Sequence, residues 1–410
     1  MFRTLLILFS LLLFGFLHAQ SEPEISKLKQ HIHFLSSETL GGRLAGSNGE
    51  KLAAEYLQKE LQAINLKAPG NSMFFPFNYI YRSKSSSKPD SDTLTVNAIN
   101  VVALLDNKAD KTIVIGAHYD HLGRNERKKS LGEVNNSDWH PGADDNASGV
   151  AGVLEIARML SENATTESAN FLFTFFSGEE DGVVGSVQLA EHLVKSSTPV
   201  SLMVNLDMIG RLDCLKQLYI GGIGTSPAYT SLSFTHPDVD FKIHTDSSGV
   251  GSSDHTSFYT HDVPVLFFHT GAHADYHKPT DTPDKINFKG MQQVLGLIYN
   301  LVIDISEKDT IAFTKTRNRS QGRTTMKVSL GIMPRHMDSG VKGLMVDAVT
   351  EGKPAERSGI RKGDIILQIG DCTVNDVYEY MECLSALNKN DCINIQILRE
   401  GVVKNIEVIL

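Results

Sequence analysis

The chain has 410 residues, of which 41% are hydrophobic and 21% charged, and its formal net charge is -9. That length exceeds one ordinary domain, so two or three units are expected, with the apolar and charged fractions of a soluble globular protein. The acidic balance excludes a nucleic-acid binder working through a broad basic face.

In chain order, Arg3 precedes an apolar run from Leu5 to Leu17 broken only by Ser10, and then Leu17-His18-Ala19 places a small residue before Gln20. This pattern predicts a secretory signal, residues 1–19, cut after Ala19. The run is shorter than the roughly 20 residues of a spanning helix. Export to the periplasm or the exterior is therefore expected, with no stable membrane span. Ile25, Leu28, Ile32 and Leu35 recur at helical spacing. Leu40-Gly41-Gly42-Arg43 and Gly46-Ser47-Asn48-Gly49 are loop signals. Glu50 to Leu66 reads as a second helix, and the Ser- and Lys-rich stretch Arg82 to Asp92 as an exposed loop.

Strands and helices then alternate. Strands are expected over Ile99–Leu105, Thr112–Ala117, Phe171–Phe176, Ser201–Asp207, Leu218–Gly221, Phe241–His244 and Val263–Phe268. Helices are expected over Ala147–Leu160, Val184–Lys195 and Phe288–Ile305. Continuous apolar strands between helices imply an α/β unit, residues 20–306, with a mostly parallel mixed sheet sandwiched by helices. A polar, basic stretch over 307–325 reads as a linker. Residues 326–410 form a small β-rich unit, with strands over Lys342–Val349, Asp364–Ile369, Asn394–Leu398 and Lys404–Leu410. Its helices cover Pro354–Ser358 and Asp376–Leu387. Of four cysteines, Cys214, Cys372, Cys383 and Cys392, three lie in the last hundred residues, so any disulfide is expected there, without a readable pairing.

The polar residues that carry chemistry fall at strand ends, where open α/β sheets place their sites. His118 follows the strand that ends at Ala117, in Ala117-His118-Tyr119-Asp120-His121. A neutral imidazole binds zinc, Asp120 is a candidate to hold its second nitrogen, and His121 is a rival ligand. Asp145 sits in Gly142-Ala143-Asp144-Asp145-Asn146-Ala147-Ser148-Gly149, a turn before a helix. Capping of that helix is the plain alternative, but adjacent acids carry a like-charge cost that a dication offsets. Glu179 and Glu180 follow Ser177-Gly178. Neighbours in a turn diverge, so one can bind metal while the other faces substrate. Asp207 ends an apolar strand, where an unpaired acid is costly; a salt bridge to Arg211 is the alternative. His277 lies in Ala274-Asp275-Tyr276-His277-Lys278-Pro279, with His273 and His269 as rivals, and Asp254-His255 adds a polar cluster read as support. Two His and three carboxylates, His118, Asp145, Glu180, Asp207 and His277, suit a pair of zinc-like cations, and the spare Glu179 suits a proton shuttle.

These motifs, together with Asn205-Leu206-Asp207-Met208-Ile209-Gly210 and His277-Lys278-Pro279-Thr280-Asp281-Thr282, resemble the co-catalytic di-zinc aminopeptidases, whose relatives include glutamate carboxypeptidases and glutaminyl cyclases. The resemblance covers roughly Ile25 to Ile305. It implies that Asp145 bridges two zinc ions, with His118 and Asp207 on one and Glu180 and His277 on the other. It implies Glu179 as general base and Asp120 as the acid orienting His118, with cobalt or manganese as substitute metals. The stretch Arg82 to Asp92 is too short to hold the protease-associated domain of some relatives. Ser329-Leu330-Gly331-Ile332, Pro354-Ala355-Glu356-Arg357-Ser358-Gly359-Ile360 and Lys362-Gly363-Asp364-Ile365-Ile366 resemble a PDZ domain of the bacterial protease type. That implies capture of a peptide or protein C-terminus by strand addition; bracing of the enzyme is the alternative.

The reaction expected is removal of an N-terminal residue from peptides with a free amine, by an activated water with Glu179 as proton acceptor. The alternatives are a glutaminyl cyclase or carboxypeptidase on the same scaffold, or a non-catalytic peptide-binding protein acting through the PDZ-like unit.

Overall fold

The computed structural model describes residues 22–82, 93–135, 137–212, 216–234, 240–316, 328–334, 343–350, 352–375 and 377–410. The expected signal, the loop over 83–92, Cys214 and the second half of the expected linker lie outside these residues. Among the described residues, no helix is long and apolar enough to cross a membrane.

The first unit begins with α1 (Ile25–Leu35), α2 (Asn48–Ala63), β1 (Phe74–Arg82), β2 (Thr93–Leu105) and β3 (Thr112–His118). It continues through α3 (Gly149–Glu162), β4 (Asn170–Phe176), α4 (Val184–Lys195), β5 (Val200–Leu206), β6 (Gln217–Gly221) and β7 (Lys242–Thr245). It closes with α5 (His255–Tyr259), β8 (Val265–His269) and α6 (Phe288–Ser306). The strands form one mixed sheet in the order β1-β2-β4-β3-β5-β8-β6-β7. Its centre, β4-β3-β5-β8, is parallel throughout, and the edges β1-β2 and β6-β8 are antiparallel.

Side chains alternate across a strand with period two, which sorts each central strand between two cores. Ile113, Ile115 and Ala117 of β3 and Phe171, Phe173 and Phe175 of β4 enter the larger core, which α1, α2, α3 and α6 cover. Val114, Leu172, Phe176 and Met203 enter the opposite core under α4 and α5. Both faces are covered, which is why these strands read as unbroken apolar runs.

The unit after residue 316 contains β9 (Ile332–Pro334), β10 (Leu344–Val349), α7 (Pro354–Arg357), β11 (Ile365–Ile369) and β12 (Cys372–Thr373). It ends with α8 (Val377–Ser385), β13 (Cys392–Arg399) and β14 (Val402–Ile409). The strands run β14-β13-β11-β10-β9 with β12 on β11, around a separate core of Leu330, Leu344, Val346, Ile366, Ile395, Ile397 and Val408. A disulfide joins Cys372 to Cys383 and so ties β12 to α8, while Cys392 is a free, exposed thiol.

Two differences from the sequence expectation bear on how the first unit packs. β1 was not foreseen: it carries Pro76 and has no buried run, because it is an antiparallel edge strand on β2. The expected linker is docked over its first ten residues. Ile311 is buried in the larger core, Phe313 packs on Tyr259 with ring centroids 5.4 Å apart, and Thr314 N donates to the Thr225 carbonyl at 2.8 Å.

Candidate metal centre

The four parallel strands end level with one another: His118 pairs with Phe176, Gly116 with Asn205, and Leu206 with Phe268. The residues just beyond those ends therefore meet along one edge. The chain also reverses direction across the sheet here, since β3 is followed by β4 on one side and β5 lies on its other side. That crevice is where doubly wound sheets bind ligands.

Asp145 stands at the centre. Its Oδ1 lies 3.3 Å from His118 Nε2, which is 3.4 Å from Asp207 Oδ1. Its Oδ2 lies 3.1 Å from His277 Nε2, which is 3.2 Å from Glu180 Oε2. Each carboxylate oxygen of Asp145 thus faces a separate His and carboxylate pair. Ligands held at about 2.0–2.1 Å around a tetrahedral zinc stand about 3.3–3.4 Å from one another, and these separations match that edge. Asp145 Oδ2 and Asp207 Oδ1 are buried and accept no well-formed hydrogen bond among the described residues. Burial alone would lower the His277 pKa, but Glu180 and Asp145 push it up to about 10. A cluster that pulls a proton onto an imidazole is one that a dication would occupy in its place. The donor set fits two zinc-type ions, with Asp145 shared.

His121 has a larger part than the motif suggests. Its Nδ1 is 2.7 Å from Glu180 Oε1 and 3.9 Å from Asp145 Oδ2, so His121, Asp145 and Glu180 form a second group able to hold an ion beside His118, Asp145 and Asp207. His277 meets the same two acids from the other side, with Tyr276 stacked on its ring at 3.9 Å. The rivals in that loop are elsewhere. His273 Nε2 is 3.1 Å from Asp144 Oδ2, and His269 stacks on Tyr219. His255 stacks on Phe267 at 4.4 Å, and its neighbour Asp254 is fully buried.

Asp120 acts on His118 through its main chain. Its carbonyl is 3.2 Å from His118 Nδ1, whereas its Oδ1 is 3.8 Å away, beyond hydrogen-bond reach. Its carboxylate accepts instead from the Glu179 and Glu180 amides, at 3.1 and 3.4 Å. One residue therefore sets the His118 ring and fixes the turn that carries both glutamates. Among the described residues nothing donates a hydrogen bond to the Glu179 carboxylate, which is only partly buried. Burial raises its pKa, opposed by His118 and reinforced by Asp254 and Glu180. A carboxylate left without partners and drawn toward protonation suits a proton acceptor.

Asp207 makes no ion pair with Arg211, whose guanidinium lies 3.0 Å from Asp275. It is held by Ser253, whose hydroxyl donates to Asp207 Oδ2 at 2.8 Å. Asn146 clamps the main chain on both sides, donating to the Leu206 carbonyl at 3.0 Å and accepting from Met208 N at 3.1 Å. Asp281 takes the Asp144 and Asp145 amides at 2.9 and 3.0 Å. The turn needs Gly142: at φ +54, an added Cβ would come within 2.2 Å of the Asp145 carbonyl oxygen.

Residues 100–302 match peptidase family M28 and residues 305–410 match a PDZ domain. The chain thus carries a unit of peptidase family M28 followed by a PDZ domain. A probable leucine aminopeptidase of Arthroderma benhamiae is 29% identical over 219 residues, 49% of this chain and 57% of the relative, so the chain spans little more than half of that protein. The zinc aminopeptidase BSAP of Bacillus subtilis superposes with a TM-score of 0.55 at 19% identity, over 68% of this chain and 95% of that one. The glutaminyl cyclase of Porphyromonas gingivalis gives 0.55 at 15% identity, over 69% and 99%. These two likenesses establish a shared fold.

Proposed function

We propose that the chain is an exported zinc aminopeptidase that releases N-terminal residues from peptides. The observation that carries this reading is Asp145, whose two oxygens each face a separate His and carboxylate pair. His118, Asp145 and Asp207 would hold one ion; Asp145 and Glu180 would hold the other with His277, which lies 3.1 and 3.2 Å from them, and His121 stands against Glu180 as a further donor. Bound there, the pair supplies Lewis acidity for the scissile carbonyl and for a water. Glu179 accepts the proton of that water and returns it to the departing amine. Asp120 keeps Glu179 and Glu180 on one rigid turn. Export rests on the apolar run after Arg3.

Protein loaded with zinc is to be assayed on aminoacyl chromophores and on the same peptides with blocked amines. Hydrolysis that needs the free amine, and that chelation abolishes, is expected. Cleavage of blocked peptides at equal rate would overturn the exopeptidase reading. The fold shared with a glutaminyl cyclase favours a second reading. It predicts a single ion and release of ammonia from peptides starting with glutamine, which metal analysis and mass spectrometry distinguish.

For the PDZ domain we propose capture of peptide C-termini. Among the described residues β9 ends its sheet, paired with β10, and an added peptide strand on its outer edge would extend that sheet. Binding of C-terminal peptides with a free carboxylate, lost on amidation, is expected; equal binding of the amides would count against it.

A further inference from the structure

The segment Gly41-Gly42-Arg43 reads in the sequence only as a loop, and none of the chemistry above uses it. In the structure Arg43 is fully buried, which is unusual for an arginine. It makes no ion pair with a carboxylate among the described residues; its guanidinium is spent on main-chain carbonyls. Nε donates to Tyr119 O at 2.7 Å, Nη1 to Pro141 O at 2.8 Å and to Leu35 O, and Nη2 to Gly142 O at 3.1 Å. Tyr119 lies between His118 and Asp120. Pro141 and Gly142 open the turn that delivers Asp145. Leu35 is the last residue of α1. The fork therefore joins two ligand-bearing loops to a fixed helix end.

The main chain repeats the junction. His121 N donates to the Arg43 carbonyl at 3.2 Å and Gly123 N to the Gly42 carbonyl at 2.9 Å. Gly42 has φ +78, and an added Cβ would stand 2.6 Å from Gly123 O and 2.9 Å from His140 O, so only glycine lets the loop approach this closely. We propose that Arg43 is a positioning residue that sets the spacing between the His118 loop and the Asp145 turn, and thereby the affinity of the site for its metal pair. The inference rests on the reading of this cluster as a cation site. Burial lowers the Arg43 pKa to about 10, against the opposing pull of Asp145, Asp120, Asp281 and Glu180, so the group stays charged at neutral pH.

The experiment compares the full chain with R43K and R43A. It measures zinc dissociation constants by competition with a chromophoric chelator, the melting temperature without metal, and kcat and KM at saturating zinc. Lysine keeps the charge but not the planar fork, so the two loops lose their common brace. Outer groups that orient metal ligands are worth roughly 10–100-fold in affinity, and a loss of that size is expected for R43K, with kcat reduced and KM little changed. Guanidinium ion added to R43A is expected to restore zinc affinity. A packing role alone would lower the melting temperature of R43K and leave zinc affinity and kcat at wild-type values, and that result overturns the proposal. Wild-type protein that binds zinc without cleaving peptides removes the aminopeptidase reading while the affinity loss in R43K still supports Arg43. Wild-type protein that binds no divalent cation removes both.

Discussion

Glu179 and Glu180 are adjacent, yet their surroundings assign them different work. Glu180 faces His121 and His277, while the Glu179 carboxylate has no hydrogen-bond donor among the described residues. Glu179→Gln is therefore expected to keep both metals and to lose roughly 10²–10⁴-fold in kcat. Metal analysis beside turnover checks this; near-normal turnover would remove Glu179 from the mechanism. His121 belongs to the same scale. Its Nδ1 lies 2.7 Å from Glu180 Oε1, so His121→Ala is expected to weaken zinc binding roughly 10–100-fold, read by chelator competition. Unchanged affinity would make His121 a bystander. In the sequence His121 was only a rival of His118, because residues three apart at a strand end give no sign of which imidazole faces which acid.

At the scale of elements, strand ends place the ligands and side chains from other segments lock them. Asn146 grips the β5 end on either side of Asp207, and Asp281 holds the amides of Asp144 and Asp145. The central strands and their flanking helices were legible because a strand covered on both faces must be apolar throughout. β1 was not, since an edge strand has no such requirement. In the PDZ unit, Arg399 grips Asp364 of the β11 approach through two contacts of 2.6 Å, and the Arg361 amide adds a third at 2.8 Å. Burial alone would raise the Asp364 pKa, but these partners hold it below the ordinary carboxylate value. A depressed folded pKa gives stability that is present above the unfolded value and is lost as pH falls through the folded one. The PDZ unit is thus expected to lose stability below about pH 4. Arg399→Met should remove much of that acid dependence and cost about 2 kcal/mol at neutral pH, measured by thermal unfolding at several pH values. An unaltered acid profile in the variant would contradict this account.

For the whole molecule, two units with separate cores share one chain, and their junction is less free than its composition suggests. Ile311 is buried in the core of the first unit. Ile311→Ala is expected to destabilise that unit by about 2–4 kcal/mol, whereas a residue in a free linker would change it by less than about 0.5 kcal/mol. Calorimetry resolving the two units tests this, and an unchanged transition for the first unit would restore the free linker.

The sequence by itself determined the alternation of strands and helices and the second unit, and it named His118, Asp145, Glu179, Glu180, Asp207 and His277 as candidates for one site. Apolar periodicity and the residue type at a strand end are local properties, readable from a few neighbours. Tertiary structure alone decided the distances at which the two Asp145 oxygens face their partners, the place of His121 on Glu180 and the pairing of Cys372 with Cys383. It also decided the burial of Arg43 against carbonyls some 76 to 99 residues away. Those facts arise from contacts between distant segments, and a main-chain carbonyl looks the same in every residue, so no pattern of side chains announces them.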